Sequence, residues 1–377
     1  MRNELGAVRS VSAVGQGSPA MTDLTIIMPT YNRSGPLHRT LEALDRCDRA
    51  GYTAQLIVID NASKDNTADV VKHWQSRMPW LAVEYLHEPR PGKNHAVNAG
   101  LARARGELVI FTDDDVTPEP SWLRQYAQAM RRRPERDIFC GNVTTHIPGY
   151  LRRAVINAVS CCHFAPDPAN DDLGPDDLPI GANFAIRRRL LETYPDMFDP
   201  ALGPCGKKRV AGSETVALLA LTKLGYRIGF VRDAGVLHRV GRSYFSFSSV
   251  CKLSFQQGRG LTRITRFGGG SSTLYGVPRF LYRLFVADVA HAAAGLVSGN
   301  RTGALYGIFH ALRLAGVAYE WRHVVRTGAP VDVRPLVARP TPGVYVSDRQ
   351  EQIRVAPEPE TGIYESDRIR ESVAAET

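Results

Sequence analysis

The chain has 377 residues, 44% of them hydrophobic and 23% charged, an ordinary globular composition with length for one large domain plus additions. Its 47 basic and 38 acidic residues leave a formal charge of +9, which suits an anionic diphosphate ligand or an anionic membrane surface. Zinc-finger spacing, basic-region heptads and aromatic RNA-binding signatures are all missing, which excludes nucleic acid as a partner, and six cysteines without a C-x-x-C pair read as reduced thiols.

Residues 1–20 are small and polar, lack the apolar core of a secretory signal, and are read as a disordered N-terminus. The next hundred residues alternate strand and helix. Leu24 to Met28 is an apolar run ended by Pro29, after which Ser34 is placed to cap a helix with Pro36 in its first turn and Leu37, Leu41 and Leu44 on one face. Gln55 to Ile59 reads as the second strand. Asp65 or Asn66 then caps a helix carrying Val70, Val71 and Trp74. Leu81, Val83 and Tyr85 alternate in a third strand, a short helix follows Gly92, and Leu108 to Phe111 forms a fourth strand. This alternation predicts an α/β fold, a mostly parallel Rossmann-like sheet with helices on both faces and ligands beyond the carboxyl ends of the strands.

Further on, Ile138 to Ile147 and Gly181 to Ile186 look extended, Glu214 to Leu224 reads as a helix stopped by Gly225, and Arg227 to Val231 and Ala234 to His238 read as two strands. Residues 268–272 form a Gly-Ser joint, followed by two amphipathic helices. No run of eighteen apolar residues occurs, so no membrane span is predicted. Phe280 to Val297, interrupted by Arg283, Asp288 and His291, comes nearest. From about Thr327 the chain is rich in proline and charge and is expected to be disordered, with a repeat in which Gly343 to Arg349 recurs as Gly362 to Arg368. The organisation expected is therefore a 1–20 N-terminus, a 21–267 catalytic domain, a 268–326 helical extension and a 327–377 tail.

The chemistry concentrates at the strand ends. Asp113, Asp114 and Asp115 follow the fourth strand, and Asp113 and Asp115, two apart in an extended segment, point the same way. Such paired carboxylates suit Mg²⁺ or Mn²⁺ shared with phosphate oxygens. An EF-hand is ruled out by Pro118 and Arg124 where glycine and glutamate are needed. A haloacid-dehalogenase-like phosphatase would use Asp113 as nucleophile, but it expects the motif on the first strand and a later Gly-Asp-x-x-x-Asp, which this sequence lacks. No Walker loop occurs, and no G-x-G-x-x-G follows a strand.

The ordered set of short motifs resembles glycosyltransferase family 2, inverting enzymes of the GT-A fold. The matching residues are Ile27 to Arg33, Val58 to Ser63 with Asp65 and Thr67, Gly92-Lys93-Asn94 with Asn98 and Gly100, Phe111 to Asp115 with Pro118 and Trp122-Leu123, Gly181 to Phe184, and Gly212 to Thr215. The resemblance implies transfer of a sugar from a nucleotide diphosphate to a glycan or lipid-linked acceptor, UDP-sugar first and GDP-sugar second, with a Mg or Mn cation.

It also implies residue roles. Pro29, Thr30 and Tyr31 would line the nucleobase pocket. Asp60, an acceptor of N–H from uracil or guanine, would read the base, though a turn residue is an alternative. Asp113 and Asp114 would hold the donor, Asp113 and Asp115 the metal, and Lys93 or Arg90 would face the donor, a solvated helix start being the alternative. His238, at the end of a predicted strand, would be a metal ligand or a structural histidine. Glu214 would be the catalytic base, starting a helix whose dipole favours a carboxylate, with Ser213 standing where the family usually has another acid. Acceptor choice is assigned to the segment from about Cys140 to Asp177. Gln256-x-x-Arg259 is followed by Gly260 rather than tryptophan, which speaks against a processive polymer synthase. A non-catalytic sugar-nucleotide-binding protein stands as a competing reading on the strength of Ser213. Cytoplasmic location, with Phe280 to Tyr319 touching the inner membrane surface, completes the set of expectations.

Overall fold

The computed structural model describes residues 22–48, 51–146, 172–173, 178–205, 208–264 and 273–327. All lie in the first of two compact units, Met1–Arg339; the second, Pro340–Thr377, holds the tail repeat and lies outside the described residues, as do the N-terminus, the 268–272 joint and most of the 140–177 segment.

An eight-stranded sheet forms the centre. Its strands are β1 (Thr22–Thr30), β2 (Ala54–Asp60), β3 (Ala82–His87), β4 (Gly106–Thr112), β5 (Val116–Pro118), β6 (Ile138–His146), β7 (Asn183–Arg187) and β10 (Ile228–Arg239), in the order β3-β2-β1-β4-β7-β6-β10-β5. A separate two-stranded ribbon joins β8 (Gly203–Cys205) to β9 (Lys208–Val210). Strands β3, β2, β1 and β4 are parallel, as the strand–helix alternation predicts, whereas β7 runs antiparallel to both β4 and β6.

Alternate residues of β1 feed two cores. Leu24, Ile26 and Met28 pack under α1 (Ser34–Asp45), α2 (Thr67–Arg77) and α4 (Trp122–Arg132). Ile27, with Ile57 and Phe111, packs under α3 (Lys93–Leu101), the short α5 (Arg188–Thr193) and α6 (Ser213–Lys223). Each fully buried aliphatic side chain contributes about 1.5–3 kcal/mol, so both sheet faces are anchored. Asn183, fully buried, ties the antiparallel half together. Its Oδ1 accepts from Trp122 Nε1 (2.9 Å) and Tyr126 OH (2.8 Å), and its Nδ2 donates to the carbonyls of Asn142 and Ala234.

The remaining helices form a stack. α9 (Arg301–Thr327) packs between α7 (Phe247–Ile264) and α8 (Arg279–Val297). Arg259 of α7 reaches Glu320 of α9 at 2.7 Å, and Glu320 is completely buried. His310 of α9 meets Asp288 of α8 at 2.5 Å under the stacked ring of Tyr306.

Three local expectations need correction. Ser34 is the first helical residue rather than a cap; Arg33 holds the cap position, and the Ser34 N–H donates to Asp65 Oδ2 at 2.9 Å. The two strands expected over 227–238 are one strand, β10, because pairing with β6 continues across a register shift between Val231 and Val236. And α8 is long and apolar enough to cross a membrane by length and composition, its interrupting polar residues notwithstanding.

Candidate active site

Parallel register brings the ends of β1, β2 and β3 level, with Thr30 beside Asp60 and Asp60 beside His87. The loops that follow are cross-tied. Asn32, with φ of 51°, takes a Lys64 N–H on its Oδ1 (2.7 Å) and donates its own N–H to Ser63 Oγ (2.8 Å). Asn61 donates to the carbonyls of Glu88 and Arg90 and accepts the Gly92 N–H at 2.8 Å, which fixes the start of α3.

Asp60 is buried within this frame. Its Oδ1 accepts the Ser63 N–H and its Oδ2 the Tyr85 hydroxyl, both at 2.8 Å. Burial, and then the Asp60 carboxylate beside it, push the Tyr85 phenol up to about 12, so Tyr85 stays a donor. Each Asp60 oxygen retains a lone pair for another N–H. Pro29 is partly buried and Tyr31 half exposed, but the Thr30 hydroxyl is directed inward and donates to Asp114 Oδ2 at 2.7 Å.

The three aspartates divide into two environments. Asp114 is buried, held by Thr30 and by Arg33 Nε at 3.0 Å; burial outweighs these partners and pushes its carboxyl up to about 7. Asp113 and Asp115 are partly buried, Asp113 the more exposed of the two. Lys93, the first residue of α3, reaches Asp113 Oδ1 at 2.6 Å. Asp115 binds Arg33 through Oδ2 and faces His238 Nε2 at 3.2 Å through Oδ1. Burial works against its charge, yet His238 and Arg33 together hold the Asp115 carboxyl below the ordinary carboxylate range. His238 arrives there by strand pairing, since β10 runs antiparallel to β5 with His238 opposite Val116.

The ligand atoms of Asp113, Asp115 and His238 lie within 4.8 Å of one another. Two carboxylates and an imidazole converging in this way make a donor set for a divalent cation, with nitrogen suiting Mn²⁺ better than Ca²⁺. Asp114, grouped with the donor-binding residues in the sequence, is turned away from this triad.

A small, mainly apolar pocket lies on the far side of Lys93, lined by Ile27, Phe111, Phe184 and Phe198 and edged by Lys93, Ser213 and Glu214. Glu214 enters it from the first turn of α6, whose N-cap Gly212 has φ of +103°, a left-handed conformation open to glycine. Its carboxylate rests on Gly181, where an added Cβ would lie 2.6 Å from Glu214 Oε1. Ser213 is buried and donates to Asn94 Oδ1, so of the two α6 residues only Glu214 offers a carboxylate to the pocket. Lys93 lines this pocket and also binds Asp113, which joins the two halves of the site. Sequence reasoning does not single out Arg33 or Tyr85 as contacts of this site. Arg33 stands inside the Ile27 to Arg33 motif, and Tyr85 on the alternating third strand, but neither motif nor alternation names a partner.

Residues 25–194 match the family model described as glycosyl transferase family 2. This segment belongs to glycosyltransferase family 2. The family 2 domain is similar to the dolichyl-phosphate β-glucosyltransferase ALG5C of Trichomonas vaginalis, 34% identical over 105 residues that are 26% of this chain and 31% of that protein. It is similar also to the glycosyltransferase AglE of Haloferax volcanii, 20% identical over 64% of this chain and 73% of that one. Among solved structures, a mannosyltransferase of Pyrobaculum calidifontis in complex with GDP-Man and Mn²⁺ superimposes with a TM-score of 0.52 at 21% identity, covering 79% of this chain and 86% of its own. That likeness gives the family 2 domain the GT-A fold.

Proposed function

We propose that the chain is an inverting glycosyltransferase that moves a sugar from a nucleotide diphosphate to a hydroxyl of a glycan or lipid-linked acceptor. The observation that carries this reading is the continuity of one site. The triad of Asp113, Asp115 and His238 joins through Lys93 to a pocket that holds a single acidic side chain, Glu214. Asp60 and Tyr31 at the neighbouring strand ends are the base-reading side of the site. With both its oxygens already holding donors from the protein, Asp60 adds an N–H and not an acceptor, which suits uracil or guanine and not the N3 acceptor of cytosine.

Asp113, Asp115 and His238 would hold the divalent cation, Mn or Mg, which when bound supplies charge against the departing diphosphate. Lys93 adds a mobile positive charge on the same side. Glu214 takes the acceptor hydroxyl proton as that oxygen bonds to the anomeric carbon. The bond from that carbon to the diphosphate oxygen breaks, and the electron pair leaves with the nucleoside diphosphate. Attack opposite the leaving group inverts the anomeric centre. Residues 21–267 are the catalytic portion in this reading, and its place of work is the cytoplasmic face of a membrane.

The test is Glu214→Gln. Turnover should fall by roughly 10² to 10⁴-fold while nucleotide-sugar binding, followed by calorimetry, persists. Turnover near the wild-type rate, or a product that keeps the donor's anomeric configuration, would overturn the assignment.

A further inference from the structure

A helix that packs on a protein usually hides its apolar side and shows its charges to water. α8 is sorted the other way round. Its one carboxylate, Asp288, is turned inward and paired with His310 of α9. Outward it exposes Phe285 (40%), Val286 (65%), Val289 (47%), Leu296 (67%) and Val297 (91%). Only 17% of its apolar window is buried, so it is not the core helix of a globular fold. The inverted sorting is what a surrounding apolar medium selects.

The charges at its borders name that medium. Arg279 and Arg283 are exposed on the first turns, and Arg301 is exposed just past the turn that ends the helix. Between them the outer surface from Leu284 to Val297, about 21 Å at 1.5 Å per residue, exposes no Asp, Glu, Lys or Arg, and His291 is its one exposed titratable side chain. Tyr275 and Tyr282 flank it, 81% and 38% exposed. Apolar centre, tyrosine border and arginine ends are the order met in passing from acyl chains to phosphates. Along its inner side α8 is covered by α9, with Leu281, Ala292 and Gly295 buried.

We propose that the outer face of α8 seats the protein on an anionic lipid bilayer, Val286, Leu296 and Val297 entering the acyl boundary and Arg279, Arg283 and Arg301 meeting headgroup phosphates. This rests on the membrane location in the reading above and gives that location its surface. It also relates the surface to the site. From the bilayer the layers run α8, α9 and α7, and α7 abuts the residue before Gly212, since a Cβ on Gly260 would lie 2.3 Å from the Ala211 carbonyl oxygen. Glu214 thus stands in the first turn of the helix whose lead-in the helical stack supports.

The test uses the full chain and sedimentation with vesicles of phosphatidylcholine alone or mixed with phosphatidylglycerol. Wild type should sediment with the mixed vesicles. Val286→Asp with Val297→Asp, at positions already exposed, should weaken binding by roughly tenfold or more with an unchanged melting temperature. Arg279→Glu with Arg283→Glu should remove the preference for the anionic lipid. A Val286→Trp variant should shift its emission to the blue on mixed vesicles. Wild type left in the supernatant, or aspartate variants binding as wild type, would overturn the proposal. So would a wild-type dimer that the aspartate pair dissolves, since a second copy would then cover the face. Nucleotide-sugar hydrolysis without vesicles reads the transferase chemistry separately, so either reading can fail while the other stands.

Discussion

Charge is handled in two opposite ways in this molecule, at the strand-end cluster and in the helical stack. At the strand ends, Asp113 and Asp115 are met by Lys93, Arg33 and His238, a cluster with no fully buried member; the Arg33 side chain is 44% exposed, Lys93 24% and His238 13%. Such partners can give way to a cation or a diphosphate, because water and ligand both have access. In the helical stack, Glu320 is completely buried against Arg259, itself 20% exposed, so the carboxylate has no water to replace a lost partner. Similar pairs of ions therefore serve exchange in one region and architecture in the other, and the difference is accessibility.

The comparison predicts that the strand-end cluster governs activity and the stack governs stability. Asp115→Asn should give the larger effect of this pair on activity, lowering transfer by about 10² to 10³-fold and abolishing metal-dependent donor binding, with little change in melting temperature. Mn²⁺ titration with and without donor reads the binding loss. Full wild-type activity in EDTA would remove the metal from this account. Glu320→Leu should do the reverse. It leaves Arg259 beside a removed carboxylate and should cost about 3 kcal/mol of stability in urea unfolding, with turnover per folded molecule retained. A stable Glu320→Leu protein that had lost activity would break the division of labour.

How much of this the sequence discloses follows from the same distinction. The strands β1 to β4 and the polar residues at their ends are local patterns, apolar runs stopped by Pro29, Asp60 or Asp113, and they were readable in order. The common direction of Asp113 and Asp115 follows from their spacing alone. The partners of these groups are not local. His238 reaches Asp115 only through the pairing of β10 with β5, and Arg33 reaches across from the end of β1. The helix α7 left little signal because Gly258 and Gly260 interrupt it, each costing about 1 kcal/mol relative to alanine in a helix. The packing requires them, for a Cβ on Gly258 would lie 1.8 Å from the Arg313 carbonyl oxygen. In α8 the periodicity gives a helix, but which face meets α9 is settled by the Asp288–His310 pair, and so the exposed apolar face could not be read from the chain.

The smallest effect is expected where the two modes meet, at Glu88. Its carboxylate is nearly buried, as in the stack, but its partner Arg90 is 64% exposed, as at the strand ends. Arg90 binds it through Nε and Nη2, both at 2.8 Å, and through its backbone N–H at 2.9 Å. These hydrogen bonds outweigh burial and bring the Glu88 carboxyl from its ordinary 4.5 down to about 2. The folded-state value lies below the unfolded one, so the unfolded chain binds the proton first as acid is added. The contribution to stability is then fully present above pH 4.5 and disappears as the pH falls toward 2. Glu88→Gln should melt slightly below wild type at neutral pH, and the two melting curves should converge between pH 4.5 and 2. Because the Glu88 N–H donates to the Asp60 carbonyl and its own carbonyl accepts from Asn61, any slackening should also weaken nucleotide binding a little at neutral pH. A melting difference that stays constant through the acid range would mean that Arg90 leaves the carboxylate to water, and that the backbone bonds alone hold this edge of the site.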